Sequence, residues 1–495
     1  RVLETSPCAV EQLRKSPNMS FSGAVKIADL SDFIAPAQSC VVSLSGSRLK
    51  TDDLDEMGNM DVGMPGVGVL KSSPLPKIEG PVKISLHDCL ACSGCVTSAE
   101  TILLEQQSSE EFMNQIKEEG RAVVVSISPQ SIAALAVHFG LPPSETKGKV
   151  AGYLKQLGVQ AVYDINTARD LALLETTAEF LHRFRSVSDG SSSTSTSSSP
   201  LPMLASACPG WVCYAEKTHG EYVLPYISAT KSPQAVMGSL VKRHLAPHLN
   251  LSQVYHVAVM PCYDKKLEAA RDDLVVPASS SPEVDCVLTT FELLNLMQDQ
   301  KVEFEKLQAA PVDKLVQQLQ LPAPSLPGPA QSQPPRQPVS PGGVSGSGGY
   351  FEYVFRSAAR ELYGVTVEGP LQYKTLRNTD FKEAVLEVEG KVVLRFGAVH
   401  GFRNIQNALR KIKTSKSEYH YLEIMACPSG CLNGGGQLKP VNEYTPKTLL
   451  EAVEVAYTNA QKEAPAPEEN VEAMALYQHL LGGTSMSHEA KQLLH

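Results

Sequence analysis

Four cysteines stand in three short segments whose composition suits metal binding. They are Cys208 in Ala-Ser-Ala-Cys-Pro-Gly-Trp, Cys262 in Met-Pro-Cys-Tyr-Asp-Lys-Lys-Leu-Glu, and Cys427 with Cys431 in Met-Ala-Cys-Pro-Ser-Gly-Cys-Leu-Asn-Gly-Gly-Gly-Gln. Upstream, Cys89, Cys92 and Cys95 form a C-x-x-C-x-x-C set. Seven of the eleven cysteines therefore lie in settings of this kind. Thiolate sulfur is the ligand that holds iron–sulfur clusters, ordinarily four to a cubane. The spacings predict two clusters, one for each set.

The upstream set is incomplete by itself. A bacterial ferredoxin run places a fourth cysteine four residues after the third. Here that position is Ala99, followed by Glu100. A fourth ligand must come from elsewhere, and Cys40 is the nearest upstream thiol. Zinc is the competing reading, but zinc sites more often pair two C-x-x-C arms, and one arm is present. The spacing favours a cluster. Cys40 alone has the weaker case, since a lone cysteine is more often a structural buried thiol.

In the downstream set, Cys427 and Cys431 are about one helical turn apart, so both sulfurs would face one way in a helical segment. Gly434, Gly435 and Gly436 would let backbone approach a cofactor closely. Pro209 and Pro261 stiffen the loops beside their cysteines. Lys265 is placed to donate hydrogen bonds to an anionic group. Each motif alone reads as an ordinary loop; the three together favour a shared site. Cys286 reads as strand core, Cys8 and Cys213 carry no motif, and His87 reads as a surface residue.

A chain of 495 residues is too long for one ordinary core, so two or three domains are expected. Its net charge of −9 and lack of a basic block make nucleic acid and anionic membrane poor direct partners. The best apolar stretch, 122–141, is interrupted by Ser126, Ser128, Pro129, Gln130 and His138, so no membrane span is expected. Clustered cysteines without a secretory leader favour metal binding in a reducing compartment. Met19 is the expected native start, with residues 1–18 an extension, and the end at His495 is the expected mark of a truncation.

The elements that position the cysteines follow from periodicity. Strands are predicted at 121–128, 160–164, 254–260, 284–289 and 419–425, each short and apolar. Helices are predicted after Pro129 and over 149–157, 291–297, 350–363, 403–413 and 447–462, with a hairpin over 385–396 turning at Glu389-Gly390. This alternation predicts an α/β fold with mostly parallel sheet, whose ligands sit at the carboxyl ends of strands. Cys262 and Cys427 both fall just past a predicted strand, and Cys208 follows the apolar run 202–205. The four downstream cysteines are therefore expected in one crevice between two lobes. The divisions expected are an arm over 1–80 carrying Cys40, a ferredoxin-like cluster region over 81–110, and a first lobe over 111–321 with a Ser-rich insert at 186–200. A Pro/Gly/Ser-rich linker over 322–349, a second lobe over 350–463 and a tail over 464–495 follow.

The three downstream motifs resemble those of the iron-only hydrogenases, of the types T-S-C-C-P-x-W, M-P-C-x-x-K-x-x-E and E-x-M-A-C-x-x-G-C-x-x-G-G-G-Q-P. The departures are informative. A cysteine used in proton transfer precedes the first cluster cysteine of those enzymes; here Ala207 stands there, and alanine relays no proton. Leu438, not proline, follows Gln437, and further upstream ferredoxin motifs are lacking. With Cys40 and the opening Phe-Ser-Gly-Ala-Val-Lys-Ile, the pattern is similar to one eukaryotic branch, the hydrogenase-like proteins of the cytosolic iron–sulfur assembly pathway. That resemblance implies two [4Fe-4S] clusters, one on Cys40, Cys89, Cys92 and Cys95 and one on Cys208, Cys262, Cys427 and Cys431. It implies an iron-only hydrogenase-like two-lobed fold and no hydrogenase activity. It also implies partnership with early scaffold ATPases and with a targeting complex built on a WD40 propeller protein, in the cytoplasm with the nucleus as a second location. The resemblance also implies an aromatic C-terminal docking residue, whereas the sequence ends at His495.

Overall fold

The run Ala-Val-Val-Val-Ser-Ile is β-branched and uniformly apolar, and it forms β1 (Ala122–Ile127), buried at every position. β2 (Ala161–Asp164), β4 (Val254–Met260) and β5 (Cys286–Thr289) pair with it in the order β2-β1-β4-β5, all parallel. A sheet covered on both faces reads as continuous apolar runs rather than alternation. This is a computed structural model, and it describes residues 106–495 except 189–199, 250, 252, 278, 325–345, 442–443 and 463. Cys8, Cys40, His87, Cys89, Cys92 and Cys95 lie outside the described residues, as do most of the Ser-rich insert and of the linker.

The second sheet has the order β3-β9-β8-β7-β6. β3 (Met203–Ala205), β9 (Tyr421–Met425) and β8 (Lys391–His400) are mutually parallel, whereas β7 (Phe381–Val388) and β6 (Lys374–Thr375) are antiparallel. The expected hairpin joins β7 to β8, with Glu389 at φ 52° and Gly390 at φ 75°. Two successive positive φ values make a type I′ turn, which suits the twist of paired strands. β3 comes from the stretch assigned to the first lobe but pairs with β9 across the molecule, Leu204 opposite Leu422. The chain thus crosses between sheets just before Cys208.

A 23-residue helix, Asn166–Ser188, was not anticipated from periodicity. It packs against helices Tyr350–Tyr363, Pro233–Leu240 and Val471–Leu480. Its buried residues occupy every side, so no amphipathic stripe marks it. Along it Arg169 pairs with Asp170 and Arg183 with Glu179, all buried. The C-terminal segment is folded onto this helix. His495 Nε2 lies 2.9 Å from Glu175 Oε2, and Leu493 and Leu494 are buried. Each fully buried aliphatic side chain of this kind contributes about 1.5–3 kcal/mol. Among the described residues, no helix is long and apolar enough to cross a membrane.

Candidate functional site

The carboxyl ends of both sheets open onto one crevice. β4 ends at Met260, and Pro261-Cys262 follow. β3 ends at Ala205, and Cys208 becomes the N-cap of the short helix Pro209–Tyr214. β9 ends at Met425, and Cys427 and Cys431 occupy the loop beyond it. Cys208 and Cys427 are buried, whereas Cys262 and Cys431 are half-buried.

The three loops interlock. Cys208 Sγ accepts a hydrogen bond from the Ala426 N–H at 3.4 Å. Ser206 Oγ donates to the Ile424 carbonyl and accepts from the Cys208 N–H, tying the first loop to β9. The Gly436 N–H donates to the Pro261 carbonyl at 2.9 Å. A Cβ on Gly434 would stand 2.3 Å from that same carbonyl oxygen. The glycine run therefore allows close passage of the third loop over the Pro261-Cys262 backbone.

One expectation is corrected. The Cys427–Cys431 loop is not helical: Ser429 sits at φ 61°, Gly430 at φ 77° and ψ −161°, and Cys431 starts a 3-10 turn. The loop is held by Ser429 N–H donating to Asp380 and by Cys431 N–H donating to Ser347 Oγ at 3.1 Å. Lys265 does donate to an anionic group, the carboxylate of Glu268. Its Nζ donates to both Glu268 oxygens, at 3.0 and 2.8 Å, and to Ser232 Oγ at 3.0 Å.

The electrostatics suit thiols awaiting a cationic group. Burial pushes the Cys208 thiol up to about 12, with Cys431 and Asp264 adding to the rise. Burial likewise raises Cys262, Cys427 and Cys431, and Asp264 raises each of them further. Asp264 is itself lifted by burial to about 6 against the pull of Lys265. A thiolate is needed to bind metal, so these raised values mean that loading the site must release protons.

Among the described residues, no three His, Cys, Asp or Glu side chains are gathered closely enough to hold a single ion. A mononuclear zinc would require donors converging at about 2.3 Å on one point. Four thiols spread over three loops suit instead a group that carries its own spacing, with one thiolate for each of several irons. The donor set therefore fits an iron–sulfur cluster.

Sequence reasoning missed two contributors. Asp264 carries no signal of its own in the sequence beyond standing beside two lysines, and it is 7% exposed at the crevice. Gln107 anchors the incoming chain there: its side chain donates to the Lys266 carbonyl at 2.9 Å and accepts from Val287 N–H at 3.0 Å. Of the remaining cysteines, Cys286 is strand core as expected, and Cys213 is half-buried in helix Pro209–Tyr214. Ala207 packs against the apolar core around helix Asn166–Ser188.

Comparison with known proteins agrees with this geometry. The family profile described as "Iron only hydrogenase large subunit, C-terminal domain" matches residues 121–435. Protein NAR1 of Arabidopsis thaliana is 46% identical, with 96% of each chain covered. The cytosolic Fe-S cluster assembly factor narfl of Xenopus tropicalis is 47% identical over the same shares, and cytosolic iron-sulfur assembly component 3 of Rattus norvegicus is 46% identical, again over 96% of each chain. Among solved structures, an [FeFe]-hydrogenase HydA1 from Chlamydomonas reinhardtii superposes with a TM-score of 0.63 at 26% identity, covering 78% of this chain and 97% of that one.

Proposed function

We propose a non-catalytic role for this chain, which belongs to the iron-only hydrogenase family and, within it, to the cytosolic iron–sulfur cluster assembly factors. In this reading it carries two [4Fe-4S] clusters and links the early scaffold ATPases to the late targeting complex, built on a WD40 propeller protein, for delivery to cytosolic and nuclear apoproteins. Cys208, Cys262, Cys427 and Cys431 hold one cluster. Cys40, Cys89, Cys92 and Cys95 hold the other, with Cys40 as the ligand that makes it labile.

The observation that carries the reading is the meeting of four buried or half-buried thiols from three strand-end loops, with Ala207 next to the first of them. A bound cluster supplies several irons, each taking one thiolate. The chain's own part is to hold the thiols apart on rigid strand ends, to limit water at Cys208 and Cys427, and to lock Lys265 with Glu268 beside them. Ala207 has no proton to move, and the relatives' names describe assembly factors rather than hydrogenases.

The test is to count iron, acid-labile sulfide and zinc per chain on anaerobically purified protein, and to assay hydrogen evolution. About eight iron and eight sulfide with little zinc is expected, with hydrogen evolution at background. Zinc without sulfide, or hydrogen evolved above background, overturns the proposal.

A further inference from the structure

Asp264 is the anomaly of the crevice. It is 7% exposed, and among the described residues its carboxylate receives no hydrogen bond and forms no ion pair. The adjacent Lys265 is committed to Glu268 and Ser232. A carboxylate so little exposed and without a partner in the chain is available to an occupant of the crevice.

Its position says which occupant. Asp264 is two residues after Cys262 on the same loop and opens the helix Asp264–Ala269. Its Oδ2 lies against Gly210, two residues after Cys208, where a Cβ would stand 2.6 Å from that oxygen and 3.5 Å from the Ala426 Cβ. Ala426 in turn precedes Cys427. The carboxylate is therefore seated among all three cysteine-bearing loops, and glycine at 210 is what leaves room for it. Its negative field reaches all four thiols. A cubane with four thiolates is itself an anion, so a bystander carboxylate there would be repelled; one that binds iron would not.

We propose that Asp264 is a fifth, oxygen donor to the iron–sulfur cluster of this crevice, able to take over the iron of Cys262, so that the cluster held here is exchangeable. Cys262 is the ligand replaced because it shares Asp264's loop and is half-buried, whereas Cys208 and Cys427 are buried. In the exchange the Fe–Sγ bond breaks with its electron pair left on sulfur. An Oδ lone pair forms the new Fe–O bond. No iron changes oxidation state, and the released sulfur takes one proton from water. Oxygen is a harder donor than thiolate and suits a thiophilic cluster less, so the oxygen-held state is the one from which the cluster leaves. The inference rests on the proposed cluster-carrying role.

The full chain is prepared anaerobically as wild type, Asp264→Asn, Cys262→Ala and the Cys262→Ala/Asp264→Asn double variant. Iron and sulfide are counted, the Mössbauer spectrum is recorded, and iron loss to a ferrous chelator is timed. Cys262→Ala is expected to take up iron, with one iron site of larger isomer shift from its oxygen ligand, and to release it at least tenfold faster than wild type, and the double variant to hold no cluster there. Asp264→Asn is expected to retain its cluster and release it at least tenfold more slowly than wild type. Equal iron in Cys262→Ala and the double variant, release from Cys262→Ala no faster than from wild type, or an unchanged release rate in Asp264→Asn would each overturn the inference while leaving the carrier reading intact. If Asp264→Asn does not fold, the iron count and isomer shift of Cys262→Ala decide alone. Wild type without iron and sulfide would instead sink the carrier reading itself.

Discussion

Arg169 and Asp170 on helix Asn166–Ser188 and Asp264 at the crevice are all more than nine-tenths buried, and their surroundings differ completely. Arg169 donates to Asp170 at 3.1 and 2.8 Å and to Gln461, while Asn470 donates to Asp170 at 2.7 Å. A few turns on, Glu179 takes bonds from Arg183, Ser228 and the Ala229 N–H. These groups are satisfied by the chain alone. Asp264 has no hydrogen bond or ion pair of that kind among the described residues. Buried polar groups that find their partners within the fold are architecture; those left without partners mark where something else binds.

The sharpest way to break that distinction is to remove one partner from the satisfied set. Arg169→Met strands Asp170 in the core with only Asn470 beside it. Leaving one member of a buried pair uncompensated costs about 3–5 kcal/mol. We expect a fall of that size in the denaturant-unfolding free energy of the iron-free chain. A loss below about 1 kcal/mol, the range of exposed pairs, would show that the pair is ornamental.

The next effect is set by pH. His256 on β4 is fully buried, with Ser126 Oγ 3.0 Å from Nε2 and the Glu283 carbonyl 3.2 Å from Nδ1. Burial lowers its pKa to about 4 from an ordinary 6.5. Between those values the unfolded chain binds a proton that the folded chain refuses. Stability is therefore full above about pH 6.5 and is lost as the pH falls toward 4, by roughly 3 kcal/mol from this residue. Denaturant unfolding of the iron-free chain at pH 7 and pH 4.5 should show that loss, and His256→Gln should flatten it. An equally steep acid loss in the variant would assign it to other groups.

The contrast also explains what the sequence made legible. β4 and β9 were readable because each is a short apolar run ending just before a cysteine, and that placed Cys262 and Cys427 at strand ends. Helix Asn166–Ser188 was invisible because its partners surround it and its charges pair internally, which erases the polar face that periodicity needs. β3 is three residues long, too short for any period to show. The helical spacing of Cys427 and Cys431 misled because Gly430 takes a backbone conformation outside the helix. Asp264 was unreadable because its burial depends on Gly210, far away in sequence, and on a loop crossing that no local pattern encodes.

Gly430 gives a smaller, local test. Its φ of 77° with ψ −161° is a combination open essentially to glycine. Gly430→Ala should cost about 1–3 kcal/mol and reduce the iron held on anaerobic loading, because the same loop carries both Cys427 and Cys431. Unchanged stability and iron content would mean that the loop relaxes without displacing either sulfur.

The smallest expected change is the most telling for the comparison. Asp264→Asn in the iron-free chain removes a buried carboxylate that has no partner among the described residues, at almost constant volume. Had Asp264 been architecture like Asp170, the substitution would destabilise by a few kcal/mol. If it is instead held ready for a ligand, the iron-free protein should be unchanged or more stable by about 1 kcal/mol, because an unsatisfied charge has been exchanged for a neutral amide. Denaturant unfolding at pH 7.5, where the raised pKa of about 6 leaves Asp264 mostly ionised, reads the difference directly. A large loss there would place Asp264 with the satisfied charges of helix Asn166–Ser188 and erase the line between the two regions.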